Sequence, residues 1–239
     1  MAAAFVFLFQ RGYVRFQYPS RNDFPVGGID VSHHQNEIDW PRLVRESKIG
    51  FAFIKATEGT DLIDRRFQEN WRGAEGRVAR SAYHFFTFCT SGDAQARNLL
   101  STAPDSGELP RAIDVEFGGN CTSWKSLAEV RGELKELVSA VEQKDGRAPI
   151  LYVTKQSYNR TVRGHFEGIP IWIREVVFRP SAEEYPDLMF WQYAGNGRLK
   201  GVDTLVDLNV LSGQRSHLGT WLARANPLNR AFARPSSCR

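Results

Sequence analysis

Between residues 26 and 210 of this 239-residue chain, short apolar runs alternate with amphipathic stretches, and that alternation constrains the fold more than any other feature. The runs at 26–32 (VGGIDVS), 51–57 (FAFIKAT), 81–88 (SAYHFFTF) and 111–117 (RAIDVEF) have the length and composition of strands. A helical pattern follows each one. Asp39 with Pro41 predicts a capped helix start. Phe67, Trp71 and Ala74 recur at helical spacing within 64–77, and 93–100 reads as the next helix. Leu127, Val130, Leu134, Leu137, Val138 and Val141 mark the longest helix, about 126–143, which Gly146 and Pro149 end. Strands at 150–154, 169–173, 188–193 and 205–210 come next, the last three with little helix between them. Strand followed by helix, four times over, implies a parallel sheet. The fold class is therefore α/β: a modified TIM-like β/α barrel with about eight strands and a reduced set of outer helices.

A barrel of this kind accounts for residues 24–213, leaving an N-terminal segment at 1–23 and a peripheral tail at 214–239. The apolar run at 1–9 is too short to span a bilayer, which takes roughly 20 residues. It also lacks a basic flank before it and a small-residue cleavage site after it, so it makes a poor signal peptide. It fits the end of a membrane anchor, an incomplete export signal or a packed segment; the first reading is favoured, with Arg11, Arg15 and Arg21 at the interface. Net charge is +4, and the 31 basic residues are dispersed instead of clustered among aromatics. That distribution argues against nucleic acid as a partner and suits an anionic polymer such as a cell wall. Cys89, Cys121 and Cys238 are too few for a disulfide framework, and Cys89 and Cys121 pair only if the fold brings them together.

Reactive groups of parallel barrels sit at the carboxyl ends of the strands. By that rule Asp30, Lys55 with Glu58, Tyr83 with His84, Asp114 with Glu116, and Asp207 face one mouth. Asp114 and Glu116, two apart, project to one side of a strand, so one carboxyl should have its pKa raised. A general acid beside a charged partner is what glycoside hydrolysis requires. Taken singly, each acid can cap a helix or face solvent; jointly, strand acids are costly to bury unless paired or reactive. Tyr83, Tyr152, Trp172, Trp191 and Tyr193 offer flat faces that can stack on sugar rings, Tyr83 and Tyr193 before the rest. His33-His34 beside Asp30 invites a metal reading, but neighbouring strand residues face opposite ways and His84, His165 and His217 are scattered, so no metal and no cofactor is expected.

Six ordered motifs then carry a resemblance: GIDVSHHQ at 28–35, FAFIKATEG at 51–59, AYHFF at 82–86, DVE at 114–116, FWQY at 190–193 and VDLN at 206–209. From Phe24 to Gly213 the chain resembles glycoside hydrolase family 25, the Chalaropsis-type lysozymes or N-acetylmuramidases. The resemblance implies a lysozyme hydrolysing the β-1,4 bond between N-acetylmuramic acid and N-acetylglucosamine in peptidoglycan. It implies Glu116 as proton donor, Asp114 as second catalytic carboxylate, and Asp30 and Asp207 as acids lining the groove. Lys55, Glu58 and the five aromatics would then contact substrate. An extracytoplasmic monomer, periplasmic or secreted and membrane-attached through its N-terminal segment, is expected. Two other classes compete: a peptidoglycan-binding module without activity, and a metal-dependent polysaccharide deacetylase built on Asp30 and the His pair. Asp114 either attacks the anomeric carbon or orients the substrate's N-acetyl group to do so, and both routes remain open at this level.

Overall fold

Gly28 to Val31 pair in parallel with Phe51 to Ile54, and this ladder closes the sheet into a barrel. The computed structural model describes residues 2–103, 107–118, 121, 123 and 125–212; the predicted tail and Cys238 lie outside them. The strands are β1 (Gly27–Val31), β2 (Phe51–Glu58), β3 (Leu62–Ile63), β4 (Ala79–Phe85), β5 (Ala112–Val115), β6 (Ile150–Thr154), β7 (Ile171–Arg174), β8 (Leu188–Gly197) and β9 (Val206–Leu211). Their order around the sheet is β1-β9-β8-β7-β6-β5-β4-β2, with β3 a short hairpin partner of β2. The barrel therefore has eight staves, and the expected α/β class holds. The sheet is mixed, however, because β9 runs antiparallel to both of its neighbours. No helix separates β8 from β9, so the chain turns back on itself at residues 198–205 instead of crossing over.

Helices α2 (Trp40–Ser47), α3 (Phe67–Ala74), α4 (Gly92–Thr102) and α5 (Leu127–Asp145) follow the first strands, as the alternation predicts. Asp39 caps α2 by accepting from the Arg42 amide, and Pro41 sits in its first turn. Ser126 and Glu129 form a capping box at the start of α5, and Gly146 ends it in the left-handed region at φ 65°.

Two cores result from the period-two alternation of strand side chains. Ile29, Ala52, Ile54, Ile113, Val115, Leu151 and Val153 point outward and pack with Leu134, Leu137 and Val141 of α5. Phe51, Phe53, Ala112, Ile150, Trp172 and Phe190 point inward and fill the floor of the barrel. Phe53 stacks on Trp172 with centroids 4.1 Å apart, and Phe190 meets Phe53 edge-on. A Cβ at Gly28 would lie 2.4 Å from the Phe51 ring, so this floor requires glycine there. The interior is thus filled below and open to polar groups above.

The N-terminal helix α1 (Ala2–Gln10) is nine residues long, and no described helix is long and apolar enough to cross a membrane. The stretch after it is packed against the barrel: Asn196 Nδ2 donates to Phe9 O at 2.7 Å and to Val14 O at 3.1 Å. Arg198 Nη1 donates to Arg11 O at 2.8 Å.

Cys89, between β4 and α4, and Cys121, between β5 and α5, are joined as a disulfide with their Cα atoms 5.8 Å apart. The bridge ties together two loops at the same end of the barrel. Closing a loop of 32 residues restricts the unfolded chain by about 3–4 kcal/mol. Replacing both cysteines with Ala is expected to lower the unfolding free energy by that order, measured by urea titration in oxidising buffer.

Candidate active site

Asp30, Asp114, Glu116 and Asp207 line one cavity of about 320 Å³ at the open end of the barrel, together with Lys55, Tyr83, Tyr152, Trp172, Arg174 and Gln192. Strand parity puts them there. In β2, Lys55 continues the inward row of Phe51 and Phe53; in β7, Arg174 follows Trp172; in β8, Gln192 follows Phe190. Asp30 and Asp207 face each other across the β1–β9 ladder. Asp207 is the second residue of its strand, not a carboxyl-end residue: β9 is antiparallel, so its amino end lies at the mouth. Asp114 lies in β5, while Glu116 has just left it, and both still reach the cavity.

A hydrogen-bond network holds Asp30. Its Oδ2 accepts from Gln192 Nε2 at 2.8 Å and from Asn209 Nδ2 at 2.7 Å. Each amide is aimed in turn: Tyr152 donates to Gln192 Oε1 at 3.0 Å, and Trp172 Nε1 donates to Asn209 Oδ1 at 2.8 Å. Lys55 Nζ pairs with Glu58 Oε2 at 2.7 Å and sits over the Phe85 ring. Asp114 Oδ1 is buried and accepts no hydrogen bond among the described residues.

Burial dominates the electrostatics of the cluster. It pushes Asp30 up to about 6 against the two amide donors, and Asp207, hydrogen-bonded to Asp30, up to about 8. Asp114 is raised well above the usual carboxylate range by burial and then by the charge of Glu116. Glu116 is also raised by burial, while Arg174 and Lys55 pull it down. The spacing of Asp114 and Glu116 predicts one carboxyl raised by its neighbour; that holds for Asp114, whereas burial is what raises Glu116. The cluster thus retains protons at neutral pH.

The predicted site residues divide clearly. Tyr83, Tyr152, Trp172 and Lys55 line the cavity; Glu58 acts behind Lys55. Trp191 is a correction: it faces the outer layer, 1% exposed, against Phe24, with Nε1 bonded to Glu175 O. Tyr193 shares that parity and lines a separate small cavity with Arg15 and Phe16. Both follow from one fact, that Gln192 between them points inward. His84 likewise faces outward, between Thr57 at 2.7 Å and Gln95 at 3.1 Å. His33 Nδ1 donates to Asp64 Oδ2 at 2.8 Å, and His34 reaches the cavity. Arg174, Gln192 and Asn209 were not foreseen, although counting by twos from Trp172, Phe190 and Asp207 points to each.

The sequence matches the family of glycosyl hydrolases family 25 over residues 29–202. The chain belongs to glycosyl hydrolase family 25. This family 25 enzyme is 35% identical to the uncharacterized protein YegX of Escherichia coli over 196 residues, covering 80% of this chain and 71% of that one. It is 34% identical to Lysozyme M1 of Streptomyces globisporus, over 84% of this chain and 71% of that one. Its fold is similar to that of a family 25 glycosyl hydrolase from Bacillus anthracis, with TM-score 0.77 and 33% identity, covering 85% of this chain and 95% of that one. As a glycoside hydrolase it has the paired acids its chemistry needs.

The raised acids make stability depend on pH. A folded-state carboxyl near 8 binds a proton that the unfolded chain, near 3.8, has released, so rising pH destabilises the fold across that window. Buried His84, lowered to about 4 from 6.5, acts in the opposite sense below 6.5. Unfolding free energy is therefore expected to fall cleanly between pH 6.5 and 8. The slope is up to about 1.4 kcal/mol per pH unit for each proton retained. Urea unfolding of wild type and Asp207→Asn at both pH values checks it, the variant giving the flatter response.

Proposed function

We propose that this chain is a muramidase, cleaving the β-1,4 bond on the reducing side of N-acetylmuramic acid in peptidoglycan, with Glu116 and Asp114 as the working pair. The observation that carries the reading is the meeting of carboxyls from β1, β5 and β9 in one desolvated cavity. The curated relatives named lysozyme and N,O-diacetylmuramidase support the substrate class.

Glu116 protonates the glycosidic oxygen as the sugar gains oxocarbenium character. Asp114 takes the acetamido N–H proton while the acetamido oxygen closes on the anomeric carbon. Its raised pKa supports this role over direct attack, since a desolvated carboxylate is a stronger proton acceptor. The reactive form has the proton on Glu116 and the charge on Asp114. Lys55 lowers both acids, and Arg174 lowers Glu116, which biases the pair the other way. An amide N–H donated to the orphaned Asp114 Oδ1 favours its ionised form and restores the productive order. Water then opens the cyclic intermediate, with Glu116 as the base. Asp30 and Asp207, joined to each other and to Asn209, fix the wall opposite.

We also place its action outside the cytoplasm, where its substrate lies and where a disulfide such as Cys89–Cys121 persists. Exposed Val6, Phe7 and Leu8, followed by Arg11 and Arg21, suit attachment of the N-terminal segment at a membrane interface.

Glu116→Gln is expected to lower the release of new reducing ends from purified walls by about 10²–10⁴-fold, with unchanged circular dichroism. Normal turnover by this variant would reject the assignment. Mass analysis of wild-type products should find muramic acid at the new reducing end. Because a general acid fails once it ionises, activity declines as pH passes the raised pKa of Glu116. Arg174→Gln removes the cation that lowers it and is expected to carry the alkaline limb to higher pH.

A further inference from the structure

A second cavity, of about 170 Å³, adjoins the acidic one and shares Arg174 with it. The N-terminal segment forms one wall through Phe9, Arg15 and Phe16; Tyr193 of β8 and the strand backbone form the other. The two cavities differ sharply in charge. Four carboxyls line the first. None lines the second, whose charged groups are the guanidiniums of Arg15 and Arg174. Neither guanidinium forms an ion pair with a carboxylate among the described residues, and Arg15 Nε is buried without an acceptor. Arg15 is otherwise held over the Tyr18 ring, 4.9 Å from its centroid. Arg174 borders the acidic cavity as well, but on the side of the second cavity two guanidiniums meet with no carboxyl in the lining, which is a receptor for an anion. Gly195 of the second cavity lies beside Asp207 of the first, since a Cβ there would lie 3.0 Å from Asp207 Oδ1. A polymer lying along the acidic cavity therefore passes the second one.

We propose that Arg15 and Arg174 form an anion subsite that grips a carboxylate on the muramyl side of the glycan strand. This rests on the muramidase reading for the identity of the polymer. That carboxylate belongs either to a free lactyl group or to the attached stem peptide; both present the same planar acceptor to a guanidinium. The N-terminal segment is thereby part of substrate recognition, and it sets a preference for charged over neutral glycan.

The test is equilibrium binding of soluble, uncross-linked glycan strands to the full chain in the Glu116→Gln background, by calorimetry. Three strand preparations are compared: strands bearing stem peptides, strands stripped to the free lactyl carboxylate, and strands whose carboxylates are converted to amides. At least one charged preparation should bind about 10-fold more tightly than the amidated one. Whichever charged form is preferred identifies the source of the carboxylate. Arg15→Gln and Arg174→Gln should each erase the preference, and Arg15→Lys should keep most of it. Equal affinity for charged and amidated strands overturns the proposal. So does an equal loss on both in the variants, which marks a structural role. Absence of new muramic acid ends from wild type, with the preference intact, rejects the muramidase reading alone.

Discussion

Burying several carboxyl groups at one end of a closed barrel is the constraint on which the remaining structure depends. A carboxylate stripped of water costs far more than any single contact in the molecule returns, so it must be protonated, paired or hydrogen-bonded. Here all three occur. Asp30 receives two amide donors, Asp207 is hydrogen-bonded to Asp30, and Glu116 and Asp114 lie in the field of Lys55, with Arg174 also acting on Glu116. The donors are themselves fixed by Tyr152 and Trp172, and Trp172 is clamped by the Phe53 stack. The aromatic floor thus works as the mounting for the acids above it.

Closure into a barrel gives that mounting its rigidity. The antiparallel β9 lies between β8 and β1 and contributes Asp207 and Asn209 to the mouth from its starting end. A parallel strand in the same place would present the opposite end. Dispensing with a helix between β8 and β9 therefore shortens the chain and also delivers two site residues. Outside the barrel, Asn196 and Arg198 at the end of β8 and beyond bind the backbone of the N-terminal segment, bringing Arg15 and Phe16 close to the cleft. The result is an acidic cavity beside a smaller one that no carboxyl lines, with Arg174 bordering both.

Much of this was legible in the chain. Four strand-helix alternations and the caps at Asp39 and Ser126 are local signals, because periodicity and capping depend on neighbours a few residues away. The inward set was legible too, through period two, yet the aromatic motif at 190–193 misled: Trp191 and Tyr193 are the conspicuous residues, while Gln192 between them enters the site. Composition drew attention to rings, and parity would have chosen the amide. Arg174 was overlooked for a similar reason, since an Arg at a strand end reads as a solvent-facing charge until the adjacent cavity is known.

The sequence by itself determined the class of fold, the family and the identity of the four acids, since each rests on short-range pattern or on motif order. Only the tertiary structure decided which groups share a low-dielectric space. The direction of β9, the pairing of Cys89 with Cys121, the reach of the N-terminal segment to the cleft and the proton-holding character of the cluster all belong to that second category. Each depends on distances between residues remote in the chain, and a pKa is set by the water and charge around a group, which no local pattern specifies.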